Sequence, residues 1–309
     1  MRQRATGLTL RSAYYGGVRA LGLPALVRRW RDAGVVLGYH NVLPPRNGGS
    51  VGDRAVHLPV EAFSEQIRWL ARRYRIVSLG EMVTRLSSGR SLRGMAALTF
   101  DDGYEGVFTH AWPLLRRLGL AATVFIVAER PDTQEAFWWD HPDIARNLTS
   151  KGRERWLGEL KGDGSGIASA LSLMTSARLP HSHRPAGWDT IRAAAREGLE
   201  IGVHSATHRS LTRLDDAELE RELVHSRDTV RLRTGADPDL FAYPYGLWDA
   251  RVHDAARAAG YRGAVTLDYG LVSSGADPWA LRRVNVPAGI SLPAFEAWVA
   301  GLHPRRGHD

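Results

Sequence analysis

The adjacent acids Asp101 and Asp102 are the residues of this chain whose types and spacing most directly suggest chemistry. They follow the apolar, β-compatible run Met95–Phe100 and precede Gly103, which permits a tight turn, and helical spacing begins at Val107. Two neighbouring carboxylates are costly to desolvate unless a divalent cation or a proton in transit uses them. The alternative is that one Asp only caps the following helix.

Two histidines four residues apart, His204 and His208, form the second candidate group. They follow the apolar run Gly198–Val203, and imidazoles at this spacing can bind one metal ion. Such a pair arises easily by chance among 12 histidines, so its position after a strand is what favours a functional reading. One Asp and two His would leave positions on the metal for water and a substrate oxygen.

Alternating strand and helix patterns predict that these residues open on one face of a parallel α/β barrel. Apolar strand patterns lie at Gly34–Tyr39, Arg75–Ser78, Met95–Phe100, Ala121–Val127, Gly198–Val203, Asp239–Tyr243, Gly263–Leu267 and Leu281–Val286. An open doubly wound sheet is the second choice, because no G-x-G-x-x-G or Walker loop follows a strand. We predict a barrel over residues 34–309, with an insertion at about 130–187 where periodicity is lost.

Composition limits the classes of function. The chain of 309 residues contains no cysteine, which excludes disulfides, thiolate metal sites and Cys nucleophiles. An apolar fraction of 44% and a charged fraction of 24% are typical of a globular protein with a sizeable core. No motif supports nucleic-acid binding despite the net charge of +8.

Residues 1–33 form a basic, amphipathic N-terminal segment. Seven arginines precede the first acid, Asp32, and aromatic and aliphatic residues are interspersed among them. This pattern predicts short helices that either lie on an anionic membrane surface or pack on the protein itself. No apolar run is long enough to span a bilayer, so we expect a cytoplasmic protein, peripheral to the inner face of the membrane.

Several motifs together carry a family resemblance. Thr99–Gly103 and His204–His208 resemble the first two motifs of the polysaccharide deacetylases, the NodB-homology group of carbohydrate esterase family 4. Further similar stretches are Ala122–Ile126, Glu200–His204, Phe241–Gly246 and Ala259–Tyr261. The resemblance implies a distorted (β/α)7–8 barrel and metal-dependent removal of acetyl groups from N-acetylated sugars, usually with Zn²⁺. Oxygen and nitrogen ligands would also suit Co²⁺, Ni²⁺ or Fe²⁺.

The resemblance also implies roles for individual residues. By position, Asp102, His204 and His208 would be metal ligands, and Asp101 the general base. The metal would polarise the amide carbonyl and lower the pKa of the attacking water. The backbone N–H of Tyr245 would stabilise the oxyanion, since Pro244 has no N–H to donate.

Two departures from the family pattern concern the partners of these residues. In many members the third motif, which includes Tyr245 in this chain, begins with an Arg that pairs with the catalytic Asp; this chain has Tyr243 at that site. Arg283 could supply that guanidinium from another strand, or could form only a surface salt bridge. The usual late Leu-x-x-His motif is also missing, whereas Tyr39-His40 matches the first strand of the poly-N-acetylglucosamine deacetylases. We therefore predict His40 as the general acid, against the alternative of a buried structural His.

Aromatic residues of the insertion are candidates for sugar binding. Trp139 could stack on a sugar ring and Asp140 could accept sugar hydroxyls, although aromatic pairs are more often core. We expect His181 and His183 to be solvated instead of forming a second metal site. The predicted substrate is a glycan or lipid-linked precursor; alternatives are hydrolysis of another C–N bond, as in a deformylase or cyclic amidase, and a non-catalytic glycan-binding barrel.

Overall fold

A closed ring of seven parallel strands forms the centre of the protein. The computed structural model describes residues 13–44, 53, 55–133, 135–141, 150–170 and 179–303. The strands of the ring are β1 Ala33–Tyr39, β5 Met95–Phe100, β6 Thr123–Ile126, β7 Glu200–Val203, β8 Leu240–Ala242, β9 Gly263–Tyr269 and β11 Leu281–Asn285. Around the ring they follow the order β1, β11, β9, β8, β7, β6, β5 and back to β1. The predicted barrel is confirmed, and the open doubly wound sheet is wrong because β1 pairs with β5.

Four short strands lie outside the ring. They are β2 Asn41–Leu43, β3 His57–Pro59, β4 Arg75–Val77 and β10 Val272–Ser273. β4 extends the ring alongside β5, and β10 is antiparallel to the start of β1. β2 and β3 form a separate two-stranded parallel sheet that the sequence did not predict. This small sheet follows His40 directly and so lies beside the carboxyl end of the ring.

Helices cover the outside of the ring, as the alternating pattern predicts. Their bounds are α1 Leu23–Trp30, α2 Val60–Ala71, α3 Leu79–Ser87, α4 Trp112–Arg117, α5 Ser150–Gly158, α6 Gly164–Ala170, α7 Trp188–Arg196, α8 Asp216–Glu220, α9 Ser226–Thr234, α10 Ala250–Ala258 and α11 Leu292–Val299. Residues 13–20 are also helical. Two π-helical segments adjoin these helices: Val107–Ala111 precedes α4, and Arg221–His225 joins α8 to α9. No helix among the described residues is both long and apolar enough to cross a membrane.

Side chains on alternate strand positions fill two separate apolar clusters. The larger cluster lies between the ring and its helices. The smaller one includes Val36, Ala97, Phe125, Val265 and Leu281 from five ring strands. Because side chains alternate along a strand, positions two residues further on point to the same side. Leu281 and Arg283 therefore share a face, and this places a guanidinium inside the barrel.

The predicted insertion contains short elements separated by unassigned chain. Within 130–187 the structure has helices α5 and α6 and single turns at Trp138–Asp140 and His181–His183. Residues 142–149 and 171–178 lie outside the described part, as do residues 1–12 with Arg2, Arg4 and Arg11. The proposed boundaries at 33/34 and 130–187 stay predictions.

Candidate active site

A cavity at the carboxyl end of the barrel brings together nearly all of the predicted site residues. Residues near the carboxyl ends of the strands that line it are His40, Asp101, Asp102, His204, His208, Tyr243, Tyr245 and Leu267. Residues from the connecting segments that line it are Asp53, Val56, Trp138, Trp139 and Arg153. Since parallel strands present their carboxyl ends at one edge, the register of the ring explains this convergence.

Asp102, His204 and His208 form a buried cluster that could hold a metal ion. The Nε2 atoms of the two histidines are 3.1 Å apart, and Asp102 Oδ1 lies 3.5 Å from the first and 3.3 Å from the second. Ligands bonded to one zinc ion at about 2.0–2.1 Å are spaced by about 3.3 Å in a tetrahedron. Both Asp102 oxygens are buried with no hydrogen-bond partner among the described residues, as expected of a metal ligand. The residues present therefore fit a divalent cation.

The protonation states of the cluster also suit a cation. His204 Nδ1 lies 2.7 Å from the carbonyl oxygen of Ala242, to which it can only donate, so Nε2 is left as an acceptor. Burial lowers the pKa of His204 to about 4 and that of His208 to about 3, which keeps both rings neutral. Burial raises the pKa of Asp102 to about 6, so a bound cation would favour its ionised form.

The backbone around the cluster adopts a sparsely populated conformation. Four of the six described non-glycine residues with positive φ belong to this region: Asp102 at 69°, Ser205 at 65°, His208 at 66° and Tyr245 at 58°. A left-handed non-glycine residue costs on the order of 1–3 kcal/mol. The surrounding structure thus maintains strained turns that aim these groups into the cavity.

Asp101 forms a bidentate ion pair with Arg283 inside the barrel. The guanidinium NH1 lies 2.8 Å from Asp101 Oδ1 and NH2 lies 2.7 Å from Oδ2. Burial alone would raise the pKa of Asp101, but the charge and hydrogen bonds of Arg283 outweigh it and hold the pKa below its usual range. Asp101 is therefore an ionised, oriented carboxylate, and the alternative of a surface salt bridge for Arg283 is wrong because Arg283 is fully buried.

Hydrogen bonds and a glycine on the neighbouring strand fix the position of the Arg283 guanidinium. Its Nε donates to the Thr266 carbonyl oxygen at 2.7 Å, and its NH1 lies 3.2 Å from Thr99 Oγ1. A Cβ added at Gly38 would be 3.4 Å from the guanidinium carbon and 2.8 Å from Asn285 Oδ1. Gly38 on the neighbouring strand therefore leaves the room that the guanidinium and its neighbours occupy.

His40 follows β1 directly and lines the cavity together with Asp101. Its Nε2 lies 4.0 Å from Asp101 Oδ2, and its side chain is 25% exposed. A cavity-lining, part-exposed ring does not fit the alternative of a buried structural histidine. Its role as general acid stays a prediction.

Aromatic side chains enclose His208. The ring centroids of Tyr245 and Trp139 lie 4.4 Å and 4.8 Å from that of His208, and both residues line the cavity as predicted. The Tyr245 hydroxyl accepts from Trp138 Nε1 at 2.9 Å, which ties the insertion to the third motif. Tyr243 also borders the cavity, and its hydroxyl donates to the Trp279 carbonyl oxygen at 2.8 Å.

Two expectations for the insertion need correction. Asp140 does not line the cavity: it is fully buried, and its carboxylate accepts from Tyr104 and lies 2.8 Å from His57 Nε2, so it is not placed to bind sugar hydroxyls. His183 is buried against the His57 ring at 4.6 Å instead of being solvated, whereas His181 is exposed as expected. Both errors arise because the insertion packs on the β2–β3 sheet.

Glu222 is a site residue that the sequence analysis missed. Its buried carboxylate accepts from the backbone N–H groups of Ala206 and Thr207, both at 2.9 Å, and from the Thr207 hydroxyl. Glu222 therefore fixes the conformation of the loop between His204 and His208. The available signal was an acid on the apolar face of a helix, in register with the buried residues Leu219, Leu223 and Ser226.

Comparisons with known proteins agree with this geometry. Residues 89–264, more than half of the chain, match the family model described as polysaccharide deacetylase. The Bacillus subtilis protein YxkH, whose name assigns it to the same group, is 22% identical over 269 residues, covering 86% of this chain and 76% of its own. The poly-β-1,6-N-acetyl-D-glucosamine N-deacetylase of Escherichia coli K12 is 23% identical over 84% of this chain, which spans only 38% of that enzyme.

Solved structures show the same fold. The Streptococcus pyogenes deacetylase PplD, solved with acetate, superposes with a TM-score of 0.62 at 16% identity, covering 88% of this chain and 99% of its own. IcaB from Ammonifex degensii superposes with a TM-score of 0.61 at 20% identity, covering 87% and 98%.

Replacement of Glu222 should weaken metal binding without touching a ligand. In Glu222→Ala the backbone amides of Ala206 and Thr207 lose their acceptor, and we expect an affinity for Zn²⁺ lower by about 10–100-fold, because the loop that carries both histidines is no longer held in place. A competition titration with a chromophoric chelator measures this. The control is Glu220→Ala, an exposed acid at the end of α8 and two residues before Glu222, which should leave the affinity unchanged. Equal affinities for both variants would contradict the assigned role.

Proposed function

The chain belongs to the polysaccharide deacetylase family, and we propose that it hydrolyses the N-acetyl group of an amino sugar in a glycan or glycolipid precursor, releasing acetate. The observation that supports this best is the pairing, within one cavity, of a buried Asp-His-His cluster with an ionised carboxylate next to it in sequence. An amide is a poor electrophile, so its hydrolysis needs both Lewis-acid activation and a base.

In this proposal Asp101 and His40 carry out the two proton transfers of the reaction. Asp102, His204 and His208 would hold the cation, for which we propose Zn²⁺; when bound, it would polarise the acetyl carbonyl and acidify the attacking water. Asp101, held ionised by Arg283, accepts the proton of that water. His40 lines the same cavity and donates a proton to the departing amine. The backbone N–H of Tyr245 offers a donor to the developing oxyanion.

Two alternatives use the same residues differently. Another C–N bond, as in a formamide or cyclic amide, would require the same metal and base, so only substrates can separate it from N-deacetylation. A non-catalytic glycan-binding barrel is disfavoured by the Arg283–Asp101 pair. Burying two charges costs several kcal/mol per ion before they attract each other, and a binder gains nothing from an oriented base.

Acetate release is the first test of the proposed function. We expect the protein to release acetate from an N-acetylglucosamine oligomer, with activity lost on chelation and restored by Zn²⁺. Asp101→Asn should lower kcat by about 10²–10⁴-fold, because the base is removed while its shape is retained. A thermal melt of the variant checks that it folds. Activity that survives both treatments would exclude this mechanism.

Arg153 suggests that the substrate carries negative charge. It lies on α5 of the insertion and lines the cavity, and no ion pair among the described residues involves it. By contrast, Arg155 on the same helix pairs with Glu159 at 2.8 Å. A guanidinium at the cavity suits a carboxylate or phosphate near the acetamido group. We propose that this anionic group belongs to an acidic glycan or to a phosphate-linked precursor.

Kinetics of two matched variants test this specificity. Arg153→Gln should raise KM by about tenfold or more for N-acetylglucosamine 1-phosphate, or for an oligomer that alternates glucuronate with N-acetylglucosamine, the cost of one charged hydrogen bond. KM for a neutral N-acetylglucosamine oligomer should stay unchanged. Arg155→Gln is the control. The two charged probes distinguish phosphate from carboxylate, and an equal effect on neutral and charged substrates would contradict the proposal.

The N-terminal segment supports a second proposal, that this part of the protein binds an anionic membrane surface. Tyr14, Leu21, Leu26 and Trp30, here called the N-terminal patch, are 55%, 76%, 54% and 74% exposed. Arginines 19, 28, 29 and 31 lie among them. On the other side, Tyr15 and Val18 pack against α11, so the segment is also docked on the protein. Exposed apolar side chains bordered by arginines are typical of interfacial helices. The cytoplasmic location, peripheral to the inner face of the membrane, stays a prediction.

Vesicle flotation tests the membrane proposal. The double variant Leu26→Ser, Trp30→Ser should lose flotation with vesicles that contain phosphatidylglycerol, because it removes the apolar contact but keeps the arginines. Both side chains are exposed, so the fold should tolerate the change. The control is Leu232→Ser, an 85% exposed residue on α9. Unchanged flotation of the double variant would argue against the patch.

A further inference from the structure

Asp140 is a buried acid that the proposed mechanism does not use. It is fully buried, and no Lys or Arg among the described residues lies within ion-pair distance of it. Its carboxylate instead has hydrogen-bond donors from three residues, two of them in the segment 53–57 and the third at position 104. A buried carboxylate without a fixed cation is costly unless donors satisfy it, so the donors and the acid form one unit.

One side of this unit leads to the metal cluster. The Tyr104 hydroxyl donates to Asp140 Oδ2 at 2.6 Å and accepts from Trp139 Nε1 at 2.8 Å. The Trp139 ring then packs against the His208 ring, with centroids 4.8 Å apart. Tyr104 itself follows the Asp101–Gly103 turn directly. The orientation of Trp139, and through it of His208, therefore depends on a hydroxyl that Asp140 fixes.

The other side leads to the facing wall of the cavity. Asp140 Oδ1 accepts from the backbone N–H of Asp53 at 3.3 Å and lies 2.8 Å from His57 Nε2. The amide nitrogen of Asn41 can only donate to His57 Nδ1, 3.1 Å away, so the ring proton is on Nε2 and points at Asp140. Asp53 lines the cavity, and His57 belongs to β3. The Trp139 side and the Asp53 side of the cavity are thus both hydrogen-bonded, directly or through Tyr104, to the Asp140 carboxylate.

We propose that Asp140 is a positioning residue that fixes the His208 side of the metal centre relative to the Asp53 wall, with Tyr104 as its link to the metal ligand. The inference rests on the metal centre of the proposed function. It assigns to the insertion a part in assembling that centre, in addition to closing the cavity.

The test compares two buried tyrosines. Tyr104→Phe removes only the hydroxyl that links Asp140 to Trp139. Tyr261→Phe removes a comparable buried hydroxyl, which donates to the Leu223 carbonyl oxygen at a distance of 2.8 Å. Neither Tyr261 nor Leu223 lines the cavity. Both variants should lose similar thermal stability. Only Tyr104→Phe should weaken Zn²⁺ binding in a chelator-competition titration, by about 10–100-fold.

A third variant tests the role of the carboxylate. Asp140→Asn should weaken Zn²⁺ binding at least as much as Tyr104→Phe, and should also raise KM because the Asp53 wall loses its anchor. The double variant should bind Zn²⁺ no more weakly than Asp140→Asn alone, because both changes cut one link. Glu135→Gln, an acid with a 71% exposed side chain in the insertion, is the control.

The Zn²⁺ affinities of these variants test the proposed role of Asp140. Wild-type Zn²⁺ affinity in Tyr104→Phe or in Asp140→Asn, with stability losses like that of Tyr261→Phe, would overturn it and leave a merely structural network. A wild-type protein that binds Zn²⁺ but releases no acetate would refute the proposed function, and the titration would still decide this inference.

Discussion

The buried ion pair between Arg283 and Asp101 is the constraint on which the rest of the site depends. It closes the interior of the barrel between β11 and the end of β5, two strands separated in the ring by β1. Removing one partner of such a pair typically costs about 3–5 kcal/mol, because the other charge is left buried. The pair therefore links the stability of the barrel to the ionisation of Asp101, the neighbour of Asp102 in sequence, so the same contact that stabilises the fold also orients the Asp101 carboxylate.

Much of the ring and the centre of the site could be predicted from the sequence, for physical reasons. Strands buried on both faces give continuous apolar runs, and parallel strands place the residues that follow them at one edge. Asp101, Asp102, His204 and His208 were found in this way. Arg283 could be named because the usual Arg of the family is missing at Tyr243 and Arg283 lies on another strand, although the sequence could not show that its side chain points into the barrel or that Gly38 leaves room for it.

The residues that support the site were harder to predict because their roles depend on tertiary contacts. Glu222 resembles any acid of a helix rich in Arg and Glu until the helix is docked and the acid faces the His204–His208 loop. Asp140 and His183 lie in a segment without periodicity, and only its packing on the β2–β3 sheet shows that they are buried. Apolar patterning identifies what a strand or helix buries, but it does not show which polar groups an irregular segment will enclose.

Strand β1 separates the N-terminal patch from the cavity, because the two lie at opposite ends of this strand. The N-terminal patch ends at Trp30, three residues before β1 begins, whereas His40 follows the other end of the same strand. Seven residues of β-strand extend about 23 Å. A bilayer that held Leu26 and Trp30 would therefore face the amino end of the barrel, and the catalytic cavity would open away from the lipid. In that arrangement an acetamido group at the membrane surface could not reach the cavity. An acetamido group further from the membrane along a glycan chain could reach it.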